Sequence, residues 1–278
     1  MALTPETMRK LTTFVRAKPR TVQEIAHLLG RNWRTADRYA DLLAKEGALS
    51  VRTFREGTRG ALKVVYWNPQ EHIGSSEFQE KLLKALEGRR KDEFSPFDLY
   101  QYVDAKQRHA SLHEGRGGEF MRGSLERAGE QVLSFSGNLS WIHAAERGRR
   151  LEDVIRSLAE RGVPLKVLCR VTIDSIKNVR ALLALNERVG KNMVEIRHCE
   201  QPLRGFVIDR TLARFRETRD PAGYERGELD RQVTLFYEIY DPEWVEWVQK
   251  VFWYLFRTSL PAEKRIKDLE SIRNTYRL

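Results

Sequence analysis

Two short amphipathic segments that meet at a glycine constrain the N-terminal part of this chain most strongly. Thr21 and Glu24 form a capping box, in which each side chain can satisfy a backbone amide at the start of a helix. The apolar residues that follow at helical spacing end at Gly30, which can adopt the left-handed conformation of a helix terminus. Asn32 is a suitable N-cap for a second helix that ends near Gly47. The pattern predicts a helix-turn-helix.

The segments that follow alternate between polar and apolar residues, as strands do. Strands are predicted over 48–52 and 62–66, and the glycine-containing basic segment 55–60 is predicted to be the tip of their hairpin. A further helix is predicted over 4–17, ahead of the capping box. Together these elements predict a winged helix-turn-helix domain over residues 1–68.

Positive charge is concentrated in this predicted domain. Residues 1–68 contain 13 Lys or Arg against 6 Asp or Glu, which accounts for +7 of the formal +10 of the chain. Such an excess is typical of a surface that contacts nucleic-acid phosphates. Side chains at the start and outer face of the second helix could enter a major groove, and wing side chains could meet phosphate. The predicted DNA-binding residues are Arg31, Asn32, Trp33, Arg34, Thr35 and Arg38 of the helix region, and Arg52, Arg55, Arg59 and Lys63 of the wing.

Double-stranded DNA is therefore the predicted partner of the winged domain. Winged helices also serve as protein-interaction modules, and an arginine-rich helix face can be merely solvated, so a protein-binding role remains an alternative.

Length and composition set the wider frame. A chain of 278 residues is long enough for about two domains of roughly 100 to 200 residues each. No signal peptide or long apolar span is visible, which predicts a cytoplasmic protein that does not bind membranes. Cys169 and Cys199 lie in apolar, strand-like runs without metal-ligand spacing. They are expected to be buried thiols, and no disulfide, metal or cofactor is predicted.

Residues 69–118 are predicted to form a helical connector. One helix is expected over 76–86, and Ser95, which precedes a proline, starts a second helix that continues to about His113. The glycine-rich segment 114–118 predicts a domain boundary. A fragment of a second helix-turn-helix and a dimerisation arm are alternative interpretations of this region.

From about residue 119 the pattern changes to alternating strands and helices. Strands are predicted over 131–135, 164–171, 194–198, 202–209, 210–216 and 233–240, and helices over 144–161, 175–189 and 242–258. The βαβαβ order favours parallel strands covered by helices, and the hairpin at 202–216 adds antiparallel ones. The sequence therefore predicts an α/β domain with a mixed sheet over 119–260, followed by a helical tail at 261–278.

The run from about residue 119 to 258 resembles the phospholipase D-like domain. In that family a His-x-Lys-x4-Asp motif lies on the hairpin, and a closing helix begins after an Asp-Pro-like turn such as Asp241-Pro242. The family's Asp matches Asp209, its Lys becomes Arg204, and its nucleophilic His falls on Pro202. Since proline has no nucleophilic nitrogen to attack phosphorus, the resemblance implies a catalytically inactive domain.

His198 lies too far upstream to fit the motif spacing, and we expect it to be structural. Arg204 could still bind an anionic or hydroxylated ligand. The predicted ligand-binding residues are Ser136 and Asn138, in the polar loop after the first strand of this domain, with Arg204 and Asp209. An equally weighted alternative is a structural ion pair between Arg204 and Asp209. Four tryptophans could stack on a ligand but are expected mainly in the core: Trp141, Trp244, Trp247 and Trp253.

The chain carries one copy of the motif, whereas the phospholipase D family builds its site from two copies. The resemblance therefore implies a homodimer, which would also place two winged domains on a two-fold operator. A winged helix followed by such a degenerate domain resembles the TrmB-like group of archaeal transcription regulators, some of which sense sugars. The predicted function is a homodimeric DNA-binding transcription regulator with a possible small-molecule effector. A phosphodiesterase or nuclease targeted to DNA, and an architectural DNA-coating protein, are the alternatives.

Overall fold

The computed structural model describes residues 3–17, 19–46, 48–55, 61–66, 77–87, 94–114, 122–146, 148–223 and 231–276. The chain divides into two compact units, Met1–Gly74 and Ser75–Leu278. Within the described ranges, none of the helices is both long enough and apolar enough to cross a lipid bilayer.

The first unit has the predicted helical and strand order. Its elements are α1 (Pro5–Ala17), β1 (Arg20–Thr21), α2 (Val22–Leu29), α3 (Trp33–Lys45), β2 (Ser50–Arg55) and β3 (Ala61–Tyr66). The strands form an antiparallel sheet in the order β1-β3-β2. The hairpin tip was predicted over residues 55–60, and residues 56–60 lie outside the described part of the chain.

Local signals set the ends of the two central helices. Thr21 Oγ1 accepts from the Glu24 amide at 3.1 Å, and Glu24 Oε2 accepts from the Thr21 amide at 2.8 Å, so the predicted capping box is confirmed. Gly30 ends α2 at a φ of 59°, in the left-handed region. Asn32 Oδ1 accepts from the Thr35 amide at 2.9 Å and starts α3. The helix-turn-helix prediction is therefore correct at its turn.

The second unit is built on an eight-stranded sheet in the order β13-β9-β8-β5-β10-β11-β12-β4. Its strands are β4 (Arg108–Glu114), β5 (Val132–Phe135), β8 (Leu165–Cys169), β9 (Val194–His198), β10 (Gly205–Ile208), β11 (Leu212–Arg219), β12 (Val233–Ile239) and β13 (Leu260–Pro261), with a separate hairpin of β6 (Ala145–Glu146) and β7 (Arg149–Arg150). The β5-β8 and β8-β9 pairs are parallel and the other pairs are antiparallel. The predicted mixed sheet is confirmed.

The described helices of the second unit are α4 (Glu77–Glu87), α5 (Phe97–Tyr100), α6 (Arg122–Glu126), α7 (Leu151–Glu160), α8 (Ile176–Val189), α9 (Pro242–Thr258) and α10 (Ala262–Tyr276). Several of them cover the two faces of the sheet. One buried cluster joins α7, α8 and α10 to β5, β8 and β9. On the other face Phe252 of α9 packs on Phe135 at 5.2 Å between centroids, and Phe135 in turn contacts Phe215. Trp244, Trp247 and Trp253 of α9 are buried, as expected of core residues.

The predicted connector differs from the structure. The helix that starts near Ser95 ends after one turn at Tyr100, and residues 108–114 form β4, which pairs along its whole length with β12. The backbone of residues 108–114 bonds to β12, a strand more than a hundred residues later that the local pattern does not reveal. Ser95 Oγ also donates to Glu217 Oε2 at 3.0 Å. Residues 94–114 are thus an integral part of the α/β unit.

Two further predictions are wrong at element ends. The helix predicted over 144–161 is replaced by a 3-10 turn at Ser140–His143, the β6-β7 hairpin, and only then α7. Gly148, at a φ of 77°, lies in the turn of that hairpin. The predicted helical tail is not separate, because Ala262 and Ile266 of α10 are buried in the main core.

Candidate functional sites

The exposed face of α3 is the first candidate site. Ala36, Tyr39, Ala40 and Leu43 are buried, and this fixes the opposite side of the helix as its outer face. Arg34 and Arg38 lie on that outer face, one turn apart, and both are exposed. Arg31 is exposed in the turn, and Trp33 at the first position of the helix has 57% of its surface exposed. The structure therefore presents the predicted groove-entering side chains together.

Asn32 and Thr35 contribute mainly to the helix start. Asn32 Oδ1 accepts from the Thr35 amide, whereas the Asn32 side-chain NH₂ group and the Thr35 hydroxyl take no part in this cap.

The wing residues are less completely placed. Arg52 and Arg55 lie in β2, but their side chains are outside the described part of the chain, and so is Arg59. Lys63 lies in β3, where its Nζ is 2.6 Å from Asp37 Oδ1 and 2.6 Å from Asp41 Oδ1. The expectation that Lys63 extends outward to phosphate therefore needs correction, because its ammonium group is bound to two acids of α3.

A cavity of about 350 Å³ in the second unit is the second candidate site. It forms where β10 and β11 differ in length. Gly205, the first residue of β10, pairs with Phe215, whereas β11 continues to Arg219 and has only β12 beside its last residues. The gap is bordered by the loop 136–138 that follows β5.

The walls of the cavity combine aromatic rings with arginines. Its lining includes the rings Phe94, Trp141, Phe206, Phe215 and Phe236, the cations Arg204, Arg214, Arg216 and Arg219, and one acid, Glu217. Arg219 pairs with Glu217 at 2.9 Å, and Arg214 Nε lies 3.4 Å from Glu238. The charge balance of the lining is therefore positive.

Arg204 is one of the cations that line this cavity. Its Nη1 donates to the backbone oxygens of Gln201 at 3.0 Å and Leu203 at 2.6 Å. A Cβ placed on Gly137 would lie only 2.9 Å from Arg204 Nε, so the guanidinium rests against the Gly137 backbone. Burial, together with the nearby charges of Arg170 and Arg216, lowers the pKa of Arg204 to about 10. No carboxylate of the described residues pairs with Arg204, which distinguishes it from Arg214 and Arg219.

Asp209 has a different role from the predicted one. Its carboxylate accepts from the amides of Gly129, Glu130 and Gln131 at 3.0, 2.7 and 2.9 Å, and its backbone has a φ of 51°. It lies at the far end of β10 from Arg204, about 16 Å along an extended chain. Both the predicted ligand role of Asp209 and the alternative ion pair with Arg204 are therefore wrong.

Ser136 and Asn138 line the cavity but use their side chains to build its loop. Ser136 Oγ accepts from the Leu139 amide and from Trp141 Nε1, each at 3.2 Å. Asn138 Oδ1 accepts from the Ser140 amide at 3.1 Å. These bonds hold Leu139 at a φ of 60° and the indole of Trp141 against the cavity.

The structure places no nucleophile of the expected kind in this cavity. Pro202 lines it, and no histidine is among the lining residues that the structure describes. His198 Nδ1 accepts from the Val171 amide at 3.0 Å, the bond of a structural histidine. Cys169 and Cys199 are free thiols. The described parts of the chain contain no group of three or more His, Cys, Asp or Glu that could hold a metal ion.

Sequence reasoning missed most of the cavity wall. Arg214 and Arg216 alternate along one strand and so share a face, a signal that the sequence does contain. Phe94 reaches the wall only because residues 94–96 pack beside β11, which no local pattern indicates.

No protein-family model matches the sequence, and no curated protein matches it. Among solved structures, the chain is similar to TrmBL2, an archaeal chromatin protein described as showing a novel mode of DNA binding, at 17% identity over 93% of this chain and 94% of that chain, with a TM-score of 0.40. It is also similar to Nuc, a phospholipase D family member from Salmonella typhimurium, at 9% identity over 56% of this chain and 98% of that chain, with a TM-score of 0.41. NucT from Helicobacter pylori is similar at 12% identity over 56% of this chain and 99% of that chain, with a TM-score of 0.37. A TrmB-like protein and phospholipase D-like proteins, the two resemblances suggested by the sequence, are thus both among its structural neighbours.

Proposed function

We propose that this chain is a DNA-binding transcription regulator that reads a duplex with α3. The observation that carries the proposal is the outer face of α3, where Arg34 and Arg38 are exposed one turn apart while the opposite face is buried. A guanidinium at such a position can donate to guanine O6 and N7 together. The proposal includes the cytoplasmic location predicted from the sequence.

Selection of bound sequences from a pool of random duplexes tests this proposal. A regulator enriches one motif, and titration then shows tighter binding to that motif than to a scrambled duplex at the same salt concentration. Equal binding to both duplexes would instead identify an architectural DNA-coating protein. Failure to bind either duplex at low salt would contradict DNA binding and favour a protein-interaction role.

We also propose that the second unit does not hydrolyse phosphodiesters. The support is chemical: Pro202 stands where the related family has its nucleophile, and the buried Cys169 cannot replace it. Burial, with a smaller effect of Cys199, raises the pKa of the Cys169 thiol to about 12, so the thiolate is scarce near neutral pH. Metal-independent hydrolysis of bis-p-nitrophenyl phosphate or of DNA would contradict this, if the activity copurifies with the protein and disappears in Arg204→Gln.

The cavity, in this proposal, holds a small anionic effector that carries an apolar group. Arg204 supplies a half-buried cation without a carboxylate partner in the described residues, and Trp141 and Phe206 supply apolar walls. An anion there would satisfy Arg204 with charge-assisted hydrogen bonds. The proposed ligand residues are Arg204 with the loop of Ser136 and Asn138; Asp209 is no longer among them.

Calorimetric titration with phenyl phosphate, benzoate, inorganic phosphate and glucose tests the ligand class. The first two are expected to bind more tightly than inorganic phosphate, and Arg204→Gln is expected to weaken them at least about tenfold, the size of a lost bond to a charged group. Arg180→Gln is the matched control, because Arg180 is an exposed arginine of α8 that pairs with Glu270. Tighter binding of glucose than of the anions would contradict the anionic class.

We further propose that the functional form is a homodimer, because the chain has one copy of a motif that the related family uses in pairs. A dimer would also suit a palindromic operator.

A further inference from the structure

Lys63 is distinctive in the first unit because one ammonium group contacts two acids of the same helix. Its Nζ lies 2.6 Å from Asp37 Oδ1 and 2.6 Å from Asp41 Oδ1. Lys63 shares a strand face with Val65, two residues further on, which is completely buried. The strand alternation therefore turns Lys63 toward α3, and only 22% of its side chain is exposed.

Asp41 lies among the residues that face the proposed DNA. It follows Arg34 by seven residues, nearly two helical turns, so the two side chains leave α3 in directions that differ by about 20°. Arg38 lies between them on the same face. Asp41 has 49% of its side chain exposed and Asp37, one turn earlier, has 30%. Without compensation, these carboxylates would repel the phosphates on either side of the groove that Arg34 and Arg38 are proposed to enter.

Lys63 supplies this compensation from the wing. Burial by itself lowers the pKa of the Lys63 ammonium, but hydrogen bonds to Asp37 and Asp41 and the charges of both carboxylates outweigh that effect and leave the pKa raised. The ammonium group therefore stays charged at neutral pH. A phosphate contact would require Nζ to give up its charge-assisted hydrogen bond to Asp41 and its ion pair with Asp37.

We propose that Lys63 is a positioning residue for DNA binding: it compensates Asp41 on the DNA-facing side of α3, ties β3 to that helix, and makes no phosphate contact of its own. The inference rests on the proposed DNA binding. In this proposal the arginines of the hairpin make the phosphate contacts of the wing, whereas Lys63 only holds β3 and α3 in position.

The salt dependence of DNA binding separates positioning from contact. Lys63→Met is expected to weaken binding about three- to tenfold on preferred and random duplexes alike, because two carboxylates are uncovered. The triple change Asp37→Asn, Asp41→Asn and Lys63→Met is expected to restore affinity to within about threefold of wild type. The log-log salt slope of that triple variant should match wild type, since no phosphate contact has been lost.

Arg59→Ala is the positive control, because loss of one phosphate contact should make the slope shallower by about 0.9. The same change of slope in the triple variant would overturn the proposal. Failure of the triple variant to recover affinity would also contradict it, provided that the variant melts at the wild-type temperature.

A measurement on the wild-type protein remains decisive if the variants do not fold. The rate at which an amine-reactive acetylating reagent modifies Lys63 without DNA is compared with that of Lys45, an exposed lysine on the last turn of α3. Lys63 is expected to react at least about tenfold more slowly, because its ammonium group is hydrogen-bonded to Asp41 and ion-paired with Asp37. Equal acetylation rates of Lys63 and Lys45 would contradict the ion pairs of Lys63 with Asp37 and Asp41. If wild type binds no duplex at low salt, DNA binding fails while this labelling still tests the ion pairs.

Discussion

Arg204 and Asp209, two members of one sequence motif, lie at opposite ends of β10 and serve different structures. Arg204 borders the cavity, whereas the Asp209 carboxylate binds three consecutive amides of residues 129–131, ahead of β5. A residue of the candidate ligand site and a structural anchor therefore share a motif without sharing a location. Their mutations should consequently have separable effects.

Asp209→Asn is expected to destabilise the second unit by about 1 to 3 kcal/mol, because an amide side chain cannot accept bonds from all three backbone donors. Urea denaturation followed by circular dichroism measures the loss. Anion affinity of the folded variant should be unchanged. Loss of anion binding without loss of stability would show that Asp209 belongs to the ligand site after all.

Gly137→Ala should displace the Arg204 guanidinium, since the new methyl group would lie 2.9 Å from Nε. We expect anion affinity to fall about tenfold and stability by about 1 kcal/mol, the value of one hydrogen bond to a backbone oxygen. Gly129→Ala is a matched control, because a Cβ there meets no atom within 4 Å. Equal calorimetric titrations of both variants would place the anion elsewhere.

Arg34→Ala and Arg38→Ala are each expected to lose about 1 to 3 kcal/mol on the preferred duplex and much less on random DNA. The reason is that base contacts specify sequence, whereas phosphate contacts only position the protein. Arg59→Ala should instead weaken both duplexes alike. Titrations in which the helix variants lose only general affinity and the wing variant loses sequence preference would reverse this assignment of roles.

The two thiols should differ in reactivity at pH 8. Burial raises the pKa of Cys169 to about 12. Because pH 8 is about four units below that pKa, the thiol is almost wholly protonated. Iodoacetamide should therefore modify the partly exposed Cys199 first, and Cys169 only after denaturation. Mass spectrometry of time points measures the order. Rapid alkylation of Cys169 in the folded protein would contradict its burial.

Light scattering of the full chain at micromolar concentration is expected to give the mass of a dimer of a 32.5 kDa chain. A shortened form beginning near residue 119 would be a poor test, because it lacks β4 and so leaves β12 as an open edge. A monomer over the whole micromolar range would count against the dimer.

The sequence by itself determined the elements whose ends depend on neighbouring residues. Examples are the capping box at Thr21, the left-handed Gly30 and the Asp241-Pro242 start of α9. Each deals with the unpaired backbone groups of a helix end by means of residues within one helical turn. The parallel core of the sheet also followed from its βαβαβ order. These features need no partner distant in the chain, which is why periodicity and capping chemistry predicted them.

Tertiary structure alone decided the features that depend on distant partners. Residues 108–114 became a strand because β12, more than a hundred residues later, offered a complete ladder of hydrogen bonds. The ion pairs of Lys63 with Asp37 and Asp41 exist because the fold brings its side chain to α3, more than twenty residues away in the chain. The cavity lies where β11 extends beyond the end of β10. Arg204 lines the cavity and Asp209 does not, because the two residues flank opposite ends of β10. The spacing of a motif gives the separation of its residues along the chain, but only the folded backbone decides where their side chains point.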